Sequence, residues 1–193
     1  MSLSELDPTS ALVVVDLQRG ILALPTAHPI ETVVANSARL AAAFRERGRP
    51  VVLVTVAGRA PGRTERARLQ AASGATPPAL TPEALEVLPE LGSDPDDITI
   101  VKRTWGAFTG TGLDTALHER GVTQVVVTGI ATTAGVESTA RQAHELGYHV
   151  TLVTDAMTDA GAEAHEQSVA RVFPAIGETG TTDEVLALLA VRS

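Results

Sequence analysis

The sequence predicts an α/β fold, a single domain in which parallel strands alternate with helices that cover both faces of the sheet. Three observations predict it. Short apolar runs rich in β-branched residues recur along the chain, as strands buried on both faces require. Stretches with apolar residues at helical spacing lie between them. The chain has 193 residues, 44% of them hydrophobic, which is enough for one such domain and short for two. No repeat, linker or low-complexity segment interrupts it, so residues 1–193 are read as one unit.

The elements follow in order. Ala11-Leu-Val-Val-Val-Asp16 is an apolar run ending in a carboxylate and reads as the first buried strand. From about Ile30 to Arg47, the residues Ile30, Val33, Val34, Leu40, Ala41 and Phe44 make one apolar stripe, stopped by Gly48. Val51 to Val56 is the second strand, followed by a polar Gly/Pro loop and an irregular, proline-dotted region to Pro95. Within that region Thr81-Pro82-Glu83 can start a short helix. Ile98 to Val101 is the third strand, ending at once in Lys102, and Leu113, Ala116 and Leu117 mark a brief helix closed by Gly121. The central strand, Val125 to Thr128, runs into the small-residue loop Gly129-Ile-Ala-Thr-Thr-Ala-Gly135 and then a helix carrying Val136, Ala140, Ala143 and Leu146. His149 to Val153 is the fifth strand, and Ala162 to Phe173 a helix broken by Pro174. Ala175 to Glu178 is a short last strand, and Thr181-x-x-Glu184 a capping box that opens the terminal helix.

Composition excludes several function classes. A formal charge of −8 with no basic run disfavours nucleic acid and anionic membrane as partners. No stretch approaches the ~20 apolar residues of a membrane span, and Met1 to Thr9 is acidic rather than signal-like, so a cytoplasmic location is expected. The chain has no cysteine, which removes disulfides, thiolate metal sites and a cysteine nucleophile. The five histidines show no metal spacing; His144 and His165 are expected at the surface. Thr154, Asp155 and Asp159, near the end of the fifth strand, have the chemistry to bind a ligand, but turn and cap roles are the expected ones. Neither a dinucleotide fingerprint nor a phosphate loop occurs, so no cofactor is expected.

Three strand ends carry chemistry: Asp16, Lys102 and the Gly129–Gly135 loop. Ligands of an open parallel sheet bind beyond the carboxyl ends of its strands, where the strand order reverses. A carboxylate and an ammonium brought together there would shift each other's ionisation and could serve in acid–base chemistry. The plain alternative makes Asp16 a loop cap and Lys102 a solvated strand-end charge.

Three segments, in this order, resemble the isochorismatase-like hydrolase family: Val13-Val-Val-Asp16-Leu-Gln18; Lys102-Arg-Thr-Trp-Gly-Ala107-Phe108 with Thr111 and Leu113; and Gly129-Ile-Ala-Thr with Gly135-Val, Thr139 and Arg141. The resemblance runs through nearly the whole chain. It implies a three-layer α/β/α sandwich on a six-stranded parallel sheet. Most members of that family are cysteine hydrolases of amides, with an Asp–Lys–Cys triad. By motif, Asp16 takes the Asp position and Lys102 the Lys position, while Gly135 stands where Cys would be. That departure closes the usual acyl-enzyme route. Isochorismatases proper are similar in lacking the cysteine, and hydrolyse a vinyl ether without a covalent intermediate. The Gly-Ile-Ala-Thr-Thr loop looks closer to the amidase branch.

The resemblance further implies a cis peptide at Ile130–Ala131 that aims the N–H groups of Ala131 and Gly135 at one oxygen. The family's zinc histidine after the second strand is replaced by Ala57-Gly58-Arg59, so no metal is expected. Trp105 and Phe108 are expected to wall the pocket, with Gln18 and Arg59 or Arg63 orienting polar groups and Ala131 and Thr132 contacting substrate. The expected protein is a hydrolase of a small vinyl ether or amide-type molecule, with Asp16 and Lys102 doing the proton chemistry and Gly135 opening the site. The alternative is a family member that has lost catalysis and binds a small molecule. A homo-oligomer is expected from the resemblance.

Overall fold

The computed structural model describes residues 3–21, 25–58, 62–74 and 81–191. Six strands form one parallel sheet in the order β3-β2-β1-β4-β5-β6. They are β1 (Ser10–Val15), β2 (Val51–Val56), β3 (Ile98–Lys102), β4 (Gln124–Ile130), β5 (His149–Thr158) and β6 (Glu178–Gly180). Alternate side chains of a strand point to opposite faces, so each inner strand feeds two cores. On one face Leu12, Val14, Leu53 and Val126 pack under α1 (Ile30–Glu46) and α7 (Thr182–Val191). On the other, Val13, Val15, Val52 and Val127 pack under α3 (Leu113–His118), α4 (Glu137–Glu145) and α6 (Phe173–Ile176). The predicted stripe of α1 is the buried one: Val33, Val34, Leu40, Ala41 and Phe44 face the sheet, and Phe44 is fully buried. Truncating such a phenylalanine to alanine costs about 3–5 kcal/mol.

The topology positions the site. From β1 the chain builds outward through β2 to β3, then crosses back to lay β4 on the other side of β1. The strand order therefore reverses between β1 and β4, whose carboxyl ends carry Asp16 and the Gly129–Gly135 loop. β3 is an edge strand, and its alternation of buried Ile98, Ile100 and Lys102 with exposed Thr99 and Val101 records that position.

The structure corrects the sequence reading at four places. A short helix, α2 (Glu65–Ala72), capped by the Thr64 hydroxyl, lies in the region read as irregular. It buries none of its residues, so no apolar stripe announced it. β5 continues to Thr158 past a register shift opposite Val127 and Gly129. After α5 (Ala162–Gln167) a π-helical turn, Ser168–Val172, leads straight into α6, so Pro174 does not end the helix. Proline in a first turn has no intrahelical N–H bond to lose, and the last strand consequently starts at Glu178 rather than Ala175. The capping box forms as expected: the Glu184 N–H donates to Thr181 Oγ1, and the Thr181 N–H donates to Glu184 Oε2 at 2.7 Å. Asp155 reinforces that helix start by accepting from the Thr182 N–H and hydroxyl. Among the described residues no helix is long and apolar enough to cross a membrane.

Candidate active site

Asp16 ends β1 in the left-handed region, at φ 56°. That conformation costs an L-residue about 1–3 kcal/mol, and aspartate is one of the few side chains that tolerate it. Two backbone bonds hold it there: its N–H donates to Val54 O, and its carbonyl accepts from the Gln18 N–H, each at 2.9 Å. At the neighbouring strand end Gly129 has φ 115°, and a Cβ on it would overlap the Val15 carbonyl. Only glycine lets β4 approach β1 this closely.

Lys102 reaches the same point from two strands away, across the end of β2. Its stem continues the buried row Ile98, Ile100, Lys102, and the residue is 1% exposed, so the solvated alternative does not hold. An ammonium buried this deeply needs a partner for every proton. Lys102 Nζ has three acceptors: Asp16 Oδ2 at 2.8 Å, Trp105 O at 2.7 Å and Thr104 O at 3.2 Å.

The carboxylate is not matched in the same way. Asp16 is buried, and among the described residues its Oδ1 has no hydrogen-bond partner. Burial pushes its pKa up to about 6, and the charge and hydrogen bond of Lys102 pull only partly against that rise. A carboxyl poised near neutrality, with one oxygen held by Lys102 and the other unmatched, can give or take a proton.

Facing it is the π-helical turn Thr132–Val136, which leads into α4. A Cβ at Gly135 would lie 3.0 Å from Asp16 Oδ2, 3.0 Å from Val15 Cγ1 and 3.1 Å from Ile130 O. Position 135 therefore looks directly onto the Asp16–Lys102 pair, and only a bare Cα leaves it uncrowded. The Ile130–Ala131 peptide bond is cis.

An isochorismatase domain signature spans residues 10–184 of this chain. It belongs to the isochorismatase family. An uncharacterised isochorismatase family protein of Escherichia coli O157:H7, YecD, is 41% identical over 187 residues, covering 92% of this chain and 95% of the relative. The solved structure of an isochorismatase family protein from Burkholderia thailandensis is 41% identical, with a TM-score of 0.87 over 98% of this chain and all of the other. N-carbamoylsarcosine amidase from Thermoplasma acidophilum is 26% identical, with a TM-score of 0.73 over 91% of this chain and 97% of the amidase. The family is one of hydrolases, and its α/β sandwich on a parallel six-stranded sheet is the fold seen here.

Against that family background, the other expected site residues divide. Gln18, expected to orient substrate, is buried and spends its carboxamide on backbone: Nε2 donates to Val56 O and Ala84 O, and Oε1 accepts from the Val56 N–H. It ties the loop after β1 to the end of β2. Trp105 is 63% exposed and gives its carbonyl to Lys102. Phe108 is half-buried, packed on the core with its ring 5.9 Å from that of Tyr148. Ala131 is half-buried at the start of the turn, while Thr132 is buried with its hydroxyl 2.9 Å from His165 Nδ1. Arg63 is exposed, and Arg59 lies outside the described residues.

His165, expected at the surface, is buried. Its ring sits 4.7 Å from that of His28, edge to face. Burial, then the nearby His28, holds the imidazole below its usual range, against the opposing pull of Asp159 and Glu166. Asp159 fastens the same turn by accepting from the Thr133 N–H and hydroxyl. His144 is exposed as expected. Two clefts, of about 690 and 440 Å³, lie at the amino ends of the strands, away from the Asp16–Lys102 pair.

Sequence reasoning passed over two features. Gln142 and Thr139 on α4 bind the loop that carries the Lys102 acceptors, and no motif pointed to Gln142. A compositional signal was available for Lys102 itself: it is the chain's only lysine among fifteen lysines and arginines. A chain that uses arginine for every other basic role has kept its one lysine at this buried position. A compact ammonium on a flexible stem fits a site where a planar guanidinium would not.

Proposed function

We propose that the protein hydrolyses a small molecule, a vinyl ether or an amide-type compound, without forming a covalent enzyme intermediate, and that Asp16 moves the proton. One observation carries the reading: Asp16 Oδ1 is buried and unpartnered on a carboxyl whose pKa is pushed up to about 6, while Oδ2 is held by Lys102. Because three acceptors already surround the Lys102 ammonium, its task is to fix and charge-balance Asp16, and Oδ1 is the oxygen left for substrate or water. Gly135 supplies no nucleophile, and its bare Cα keeps a side chain from pressing on Asp16 Oδ2.

With a vinyl ether, protonated Asp16 gives its proton to the terminal vinyl carbon, and water adds to the resulting oxocarbenium carbon. The hemiketal then loses an alcohol to leave a ketone, and the proton released returns to Asp16. With an amide, ionised Asp16 takes a proton from water as the oxygen adds to the carbonyl, then returns it to the departing nitrogen. The amide class has the support of an amidase among the structural relatives, and the vinyl-ether class that of glycine at position 135.

A turnover screen across vinyl ethers, amides and ureides, run on the wild type and Asp16→Asn, tests the proposal. Turnover is expected in one class and abolished in the variant. The pH profile identifies the class: activity that falls as pH rises through about 6 marks Asp16 as acid, and activity that rises marks it as base. The second reading is a binding protein, favoured by the absence of any side-chain nucleophile at position 135. Ligand-induced thermal shifts with no turnover in any class would establish it instead.

A further inference from the structure

We propose that Gln142, together with Thr139 on the same helix, is a positioning residue that presents Lys102 to Asp16. The inference rests on the reading that this pair is the reactive one. Lys102 is the last residue of β3, and beyond it the chain leaves the sheet. Two of the three acceptors of its ammonium are carbonyls of the following loop, Thr104 O and Trp105 O. That loop has no strand or helix of its own from Arg103 to Gly112, and Arg103, Trp105, Thr109 and Gly110 are exposed. Carbonyls on such a segment stay aimed at an ammonium only if something outside the loop holds them.

Helix α4 supplies that hold. Gln142 Oε1 accepts from the Phe108 N–H at 3.1 Å, and Gln142 Nε2 donates to Thr109 Oγ1 at 2.6 Å. The Thr139 hydroxyl accepts from the Ala107 N–H at 3.1 Å and donates to the Gly135 carbonyl at 2.6 Å. Residues three apart share a helix face, so one face of α4 grips both the Lys102 loop and the Gly135 turn. It thereby sets the two halves of the site relative to each other. Gly106 shows how closely the clamp fits: a Cβ there would overlap the Gln142 carboxamide oxygen. That oxygen is the far end of a flexible side chain, so a methyl at 106 would displace the clamp and leave the backbone in place.

Because Lys102 is the only lysine, amine acetylation of the native full-length protein, read by mass spectrometry, reports on this one side chain. Its burial should protect it in the wild type. Gln142→Ala removes two hydrogen bonds from the loop and should raise the Lys102 labelling rate by about tenfold to a hundredfold at an unchanged melting temperature. Gln142→Glu still accepts from the Phe108 N–H and the Thr109 hydroxyl and should restore protection. Gly106→Ala should raise labelling in the wild-type background but add little to Gln142→Ala, since the group it displaces is already gone. If Gln142→Ala melts far below the wild type, Gly106→Ala gives the same reading with Gln142 still present. Wild-type protection in both single variants overturns the clamp, and so does a Gly106→Ala effect of equal size in the two backgrounds. The outcome is separable from the proposed function: Asp16→Asn with full turnover removes the reactive pair, whereas the labelling pattern concerns only how Lys102 is held.

Discussion

Two ion pairs, one part-buried and one buried, lie at opposite ends of the sheet and make different use of the same kinds of charge. At the amino end Arg45 and Asp97 meet fork to fork: Nε donates to Oδ1 at 3.0 Å and Nη2 to Oδ2 at 2.8 Å. Arg45 Nη1 goes on to Leu91 O, and Asp97 Oδ2 also accepts from the Asp94 N–H. Both carboxylate oxygens are used, and the pair joins α1 to the approach to β3. At the carboxyl end Lys102 is equally well served, but Asp16 keeps one oxygen without a partner. The first pair is a brace. The second leaves a buried carboxylate with one oxygen unmatched, which costs stability and makes a proton easy to exchange. Arg45–Asp97 uses both carboxylate oxygens to hold two elements together, and Lys102–Asp16 leaves one oxygen without a partner among the described residues.

Removing one carboxylate from each pair is the strongest way to break the comparison. Asp16→Asn should lower turnover by roughly 10²–10⁴-fold, the ordinary worth of a general acid or base, and leave the far-ultraviolet circular dichroism unchanged. Asp97→Ala should instead leave turnover intact and cost about 1.5–3 kcal/mol in urea denaturation, because Arg45 loses both of its carboxylate bonds. Full activity in Asp16→Asn would end the distinction.

The pH dependence of stability sharpens it. The folded pKa of Asp16, about 6, lies above its ordinary 3.8, so between those values the folded chain holds a proton that the unfolded chain has released. The contribution of this group to stability is fully present below about 3.8, is lost as pH rises through about 6, and then stays lost. A displacement of about two units corresponds to about 3 kcal/mol. Asp16→Asn should therefore gain stability over the wild type at pH 8, and that gain should vanish by pH 4. A difference that does not change with pH would mean Asp16 is no harder to ionise in the fold than in water.

A smaller effect is expected at Gly135. Gly135→Ala presses a methyl against Asp16 Oδ2 and Val15 Cγ1, and should cost about 1–3 kcal/mol together with most of the turnover. Retained activity would place the reacting group elsewhere. The smallest effect belongs to Trp105→Ala. The residue is 63% exposed, so stability should change by no more than about 0.5 kcal/mol, and a rise in KM would mark Trp105 as a wall of the pocket.

Much of this was readable in the order of residues. The runs Ala11–Val15 and Val125–Thr128, the α1 stripe and the Thr181–Glu184 box each carry their signal within a dozen residues, and each forms where the pattern placed it. α2 was missed because it buries nothing, and β6 was misplaced because Pro174 occupies a first turn that tolerates it.

By itself the sequence determined the α/β class, the strand ends that bear Asp16 and Lys102, and the absence of a thiol, all properties of local pattern and composition. The tertiary structure decided what those residues became. Gln18 was drawn into backbone bonds, and Thr132 was tied to a His165 that no local pattern marked as buried. The Lys102 ammonium was given three acceptors, while Asp16 Oδ1 found no partner among the described residues. Partnership and desolvation arise from residues far apart in the chain, so the raised pKa of Asp16 exists only once the ends of β1 and β3 have come together in the fold.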